Sequence, residues 1–212
     1  MPLAPWTRLL LPAGLVLLAG AVALFARRQA RGRVGGALSR PKQVWLFLAL
    51  GTWLLAAPLL ALDPGVSPPL RALLGLFVGL MLARVPVELV LLYGLGRWTP
   101  PMGIAHDLLC AAVMAVGLPV ALRSLDGTGP LGPADQAALL LALTVLATLL
   151  VEVHHAWAFW RVVGSAGTQG EDAVWFASAD DPRFARINRI TAWLNAPLLA
   201  LLGAVLIASL GP

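Results

Sequence analysis

Glu88, His106, Asp107, Glu152, His154 and His155 are ionisable residues set inside long apolar runs, with Arg84 close by. An ionisable group in a bilayer core is expensive to keep, so each of these is a candidate for function. Imidazole together with carboxylate suits zinc, iron or manganese. Glu152 and His155 are three residues apart, which puts both on one face of a helix. Such E-x-x-H pairs hold di-iron and di-manganese centres in helical bundles, but those centres take two pairs and two further Glu. This chain has one pair, so the expected metal set is mononuclear: Glu88, His106, Glu152 and His155, with Glu88 and Glu152 as the catalytic carboxylates. A b-type haem is the alternative cofactor, held axially by His106 and either His154 or His155.

The neighbours of these residues qualify that chemistry. His154 lies about 100° round the helix from His155 and shares its face with Trp157 and Arg161. Arg84 and Glu88 are four apart and share a face, an arrangement suited to an internal ion pair, with Pro86 loosening the ladder between them. Asp107 follows His106 directly and should point about 100° away, so the two do not form a relay. No Ser/His/Asp order, H-E-x-x-H or Walker sequence is present, and Gly164–Gly170 lacks the lysine and spacing of a phosphate-binding loop.

The elements that position these groups are transmembrane helices. Of 212 residues, 59% are hydrophobic and only 12% are charged, with a mean hydropathy of +0.85. Soluble domains have about 45–50% apolar and about 25% charged residues. A bilayer core about 30 Å thick is crossed by roughly 20 apolar residues in a helix. Six such runs are present, at 8–26, 43–62, 71–96, 104–123, 135–162 and 190–210. The fold expected is an all-α polytopic membrane bundle forming a single domain over 1–212. The single cysteine, Cys110, excludes an internal disulfide framework.

Charge placement sets the orientation. Residues 27–42 carry Arg27, Arg28, Arg31, Arg33, Arg40 and Lys42 and no acid, the signature of a cytoplasmic loop. Both termini then lie on the non-cytoplasmic side, and the segment 163–189 lies in the cytoplasm. Residues 1–26 have the build of a signal peptide, but the arginines that follow favour a retained first span. Asp180-Asp181-Pro182 reads as an interfacial helix start. Arg183, Arg186 and Arg189 then repeat at about helical spacing and suit anionic lipid headgroups. Trp157, Phe159, Trp160, Trp175 and Phe176 read as an interfacial aromatic belt. The net charge of +5 therefore belongs to loops that face a membrane, and nucleic acid is not an expected partner.

At about 1.5 Å per residue, Glu88 and Glu152 lie roughly 13 Å, and His106, Asp107 and His155 roughly 7–9 Å, below the cytoplasmic surface. A one-sided site of this kind fits a metal- or haem-dependent enzyme of the cell inner (plasma) membrane acting on a lipid-soluble substrate. A subunit with a membrane-protein partner, or a proton-coupled transporter component, would use the same groups as pairing partners or proton carriers. Histidines late in one span and a basic helix start before the next are similar to small bacterial membrane redox proteins, a likeness confined to the C-terminal part of the chain. It implies a redox role.

Overall fold

The computed structural model describes residues 1–30, 38–90, 100–125, 129–163 and 182–211; within these, the side chains of residues 29, 30, 85, 88, 89, 100 and 163 are not described. The described residues are helical, without β-strands. The helices are α1 (Pro5–Ala30), α2 (Arg40–Leu50), α3 (Ala57–Leu62), α4 (Pro68–Leu89), α5 (Pro100–Arg123), α6 (Pro133–Val163) and α7 (Ala185–Leu210). A π-helical turn, Gly51–Ala56, joins α2 to α3 without a break, and a single 3-10 turn, Pro182–Phe184, leads into α7.

Among the described residues five helices are long and apolar enough to cross a membrane: Pro5–Arg28, Arg40–Leu62, Pro101–Arg123, Pro133–Val162 and Pro182–Leu210. The expected span 71–96 is helical as far as Val90, where α4 gives way; its remainder, with Arg97, lies outside the described residues, as do Arg31, Arg33, Gly164–Gly170, Trp175, Phe176, Asp180 and Asp181. The helices run up and down. α6 packs on both α5 and α7, α4 packs on α3 and α5, and α2 packs on α7 and α1. One end of the bundle gathers Arg28, Arg40, Arg161, Arg186 and Arg189; the opposite end holds Met1, Asp63 and Asp135.

Small residues let α6 come close to its neighbours. Ala134, Ala137, Ala138 and Ala142 are all buried on its first half, as expected where helix association depends on close packing rather than on expulsion of water. The buried face of α7 repeats at three and four residues: Ile187, Thr191, Asn195, Leu198, Leu202, Val205 and Ser209. That spacing is a single helical stripe, apolar from Leu198 to Val205 and carrying Thr191 and Asn195 in the half nearer the basic end.

Two expectations need correction. Lys42 does not belong to a cytoplasmic loop: helix α2 begins at Arg40, Ser39 caps it through a hydrogen bond from the Lys42 amide (3.3 Å), and Lys42 is buried. A Ser cap followed by Pro in the first turn is a strong helix start, and it outweighs the run of positive charge. Phe159 is not a headgroup residue either. It is buried and stacked on Phe184, with ring centroids 5.2 Å apart, while Trp157 on the next face is exposed.

Candidate functional site

The basic end holds two polar clusters, each built by helices distant in sequence. The first lies where α2, α6 and α7 meet. Eight residues before the end of α6, His155 is buried, and its ring lies parallel to the indole of Trp45 on α2 (centroids 5.9 Å apart, planes 7° from parallel). Its Nδ1 is 3.1 Å from the hydroxyl oxygen of Thr191, which itself donates to the Ile187 carbonyl at 2.9 Å. A threonine hydroxyl has one proton to donate. Thr191 therefore accepts from Nδ1–H, and in the neutral ring Nε2 keeps its lone pair.

Lys42 completes this cluster. Its ammonium lies 3.8 Å from the Trp45 ring centroid, a cation–π distance, and the Glu152 carboxylate attracts it electrostatically. The helical face shared by Glu152 and His155 is thus turned toward the first turn of α2. Two asparagines of α7 fix that turn in place. Ser39 Oγ donates to Asn188 Oδ1 at 2.8 Å, and Asn195 Nδ2 donates to the Pro41 carbonyl at 2.8 Å.

The π-helical turn adjusts the same helix from below. In an unbroken α-helix, residues eight apart lie about 80° out of line. The extra residue of a π-turn brings Trp53 onto the face of Trp45, where the two rings meet edge to face at 6.3 Å. Trp53 Nε1 then donates to Thr148 Oγ1 on α6 at 2.8 Å, and Thr52 satisfies freed carbonyls by donating to Leu48 and Ala49.

The second cluster joins α4 to α5. Arg84 forms an ion pair with the buried Asp107 at 2.5 Å. His106 Nε2 donates to the Leu80 carbonyl at 3.0 Å, since a carbonyl can only accept. Its Nδ1 lies 3.5 Å from Asp107 and 3.7 Å from Cys110 Sγ. Helical twist alone separates neighbouring residues, yet His106 and Asp107 meet because both reach toward α4. His106 is committed to a backbone carbonyl through Nε2–H, and His155 to a hydroxyl through Nδ1–H.

The expected site residues are therefore divided. Glu152 and His155 share the α2–α6–α7 cluster; Arg84, His106 and Asp107 share the α4–α5 cluster; His154 is exposed. The side chain of Glu88 lies outside the described residues. Among the described residues no three His, Cys, Asp or Glu side chains come together in a way that could hold a metal ion. A haem between His106 and His155 would need both rings turned to one gap, whereas they engage different helices. Reading residues alone missed Lys42, Trp45, Thr191 and Asn195. The polar spacing Asn188, Thr191, Asn195 on one face of an apolar span was the available signal.

These features define an all-helical protein with helices suited to crossing a membrane and a buried polar cluster at one end. Comparison with family models, with curated proteins and with solved structures finds no match to the chain.

Proposed function

We propose that this chain is a six-span protein of the cell inner (plasma) membrane whose α2–α6–α7 cluster is an acid–base site for a lipid-soluble molecule, open to the cytoplasmic leaflet. The arginines gathered at one end support that orientation under the positive-inside rule, with both termini on the other side. Those exposed arginines then meet anionic headgroups.

The observation that carries the reading is the arrangement around His155. Thr191 holds Nδ1–H, so Nε2 has a lone pair to take a proton, and the buried Lys42, attracted by the half-buried carboxylate of Glu152, stands beside it. A general base needs a defined tautomer before it needs a tuned basicity. In this reading His155 moves the proton, Glu152 balances Lys42, and Trp45 is the wall on which the imidazole rests. The Arg84–Asp107–His106 group braces α4 against α5. The divided histidines and carboxylates favour proton chemistry over the mononuclear metal set.

The test is organic extraction and mass spectrometry of the detergent-purified protein, with elemental analysis of the same sample, beside His155→Ala. A membrane-soluble compound held near one per chain and lost in the variant supports the site. Its absence overturns the reading, and a stoichiometric metal lost in the variant replaces it with the metal-dependent one.

A further inference from the structure

Two uncharged side chains of the α2–α6–α7 cluster each carry a buried polar atom that its internal bonds leave over. Trp45 and Asn195 are each 5% exposed. Among the described residues, neither Trp45 Nε1 nor Asn195 Oδ1 has a hydrogen-bond partner, although Asn195 Nδ2 is bonded to the Pro41 carbonyl. The two atoms are of opposite kind, since an indole N–H can only donate and an amide oxygen can only accept. Each group left unmade in an apolar interior costs about 1–3 kcal/mol. By contrast Trp53 Nε1, eight residues along the same helix, is bonded to Thr148.

Trp45 lies in the second turn of α2, and Asn195 lies in the third turn of α7. Asn195 holds the carbonyl of Pro41, four residues before Trp45, so its amide sits against the turn that carries the indole. The charges of the cluster already balance, because Lys42 and Glu152 attract one another. A net anion or cation entering there would have no counter-charge of its own, and burial of an uncompensated charge is strongly unfavourable.

We infer that this cluster takes the uncharged polar head of a lipid-soluble molecule, which offers a hydrogen-bond acceptor to Trp45 Nε1 and a donor to Asn195 Oδ1. The inference rests on the reading of the cluster as a site for a lipid-soluble molecule and specifies the chemistry of the head. Primary amides, hydroxyl-bearing heads and half-reduced carbonyl pairs meet the requirement. Phosphates and quaternary amines do not.

The experiment follows thermal unfolding of the full chain in dodecylphosphocholine, whose phosphate and quaternary amine do not meet the requirement, while three single-chain probes are titrated: dodecanamide, dodecyl methyl ketone and dodecyl phosphate. Dodecanamide should raise the midpoint of the wild type, with the ketone, which lacks the donor, about tenfold weaker, the equivalent of one hydrogen bond at 1.4 kcal/mol. Trp45→Phe should abolish the preference for the carbonyl probes, and dodecyl phosphate should be the weakest. Phosphate binding equal to or tighter than amide binding, with the response lost in His155→Ala, would overturn the neutral head while leaving the lipid-soluble site standing. No response to any probe would overturn both.

Discussion

The imidazole of His155 and the indole of Trp45 lie 5.9 Å apart and within 7° of parallel, one on α6 and the other on α2. Neither helix orients the imidazole alone. The indole sets the plane of the ring, and Thr191 on α7 sets which nitrogen carries the proton. Three helices therefore decide the chemistry of one side chain, and displacement of any of them changes it.

That dependence makes Thr191→Val informative. Valine keeps the volume but leaves Nδ1–H without an acceptor, at a cost of about 1–3 kcal/mol. Nitrogen NMR of histidine-labelled protein should show the Nδ1–H form in the wild type and a shift toward Nε2–H in the variant. Thr191→Ser should keep the wild-type spectrum. An unchanged spectrum in Thr191→Val would mean that the hydroxyl does not set the tautomer.

The Arg84–Asp107 pair predicts a different pattern. Removing one partner strands the other, which costs about 3–5 kcal/mol for a buried pair. Asp107→Leu should lower the thermal midpoint in detergent sharply. Arg84→Met with Asp107→Leu should recover most of the loss, because no charge is then left behind. A double variant as unstable as the sum of the singles would show that the pair is not coupled.

Thr148 tests the π-turn. Its hydroxyl oxygen receives the Trp53 indole N–H at 2.8 Å and itself donates to α6 carbonyls. Thr148→Val leaves a buried donor without a partner and should cost about 1–3 kcal/mol. In the Trp53→Phe background the same change should cost much less. A double-mutant cycle on unfolding midpoints reads the difference.

At the opposite end, Asp63 caps a helix that is distant in sequence. Its buried carboxylate accepts from the Ala4 amide at 3.0 Å, from the Gly65 amide at 2.7 Å and from the Thr7 hydroxyl. A carboxylate at a helix N-terminus also meets the positive end of the helix dipole. Asp63→Ala should speed hydrogen exchange of amides in the first turns of α1 while leaving α6 protected. Gly65→Ala should do the same for a steric reason, since a Cβ there would come within 2.3 Å of the Pro2 carbonyl oxygen. Unchanged exchange in both would show that this contact does not hold α1.

Some of the candidate site could be read along the chain. The E-x-x-H spacing puts Glu152 and His155 on one helical face, and both groups turn toward α2, to Lys42 and Trp45 respectively. Arg84 is bonded to Asp107 on α5, a partner that helical spacing does not reveal, while the side chain of Glu88, its expected partner, lies outside the described residues. Lys42 was counted as loop charge because composition weighs a run of cations without seeing the cap at Ser39. Trp45 and Asn195 looked like an ordinary aromatic and an isolated amide, since their meaning depends on partners far away in sequence.

By itself the sequence determined the class of the protein. Long apolar runs separated by short polar connections allow only helices in a bilayer, because every backbone group there must be satisfied within its own segment. Periodicity also determined which residues share a helical face. Only the tertiary structure decided which faces meet: that His106 and His155 engage different helices, and that α7 supplies the hydroxyl and amide around α2. The physical reason is range. Helical hydrogen bonds join residues four apart, whereas Ser39 and Asn188, or Pro41 and Asn195, meet only when the packing of α2 on α7 brings them together.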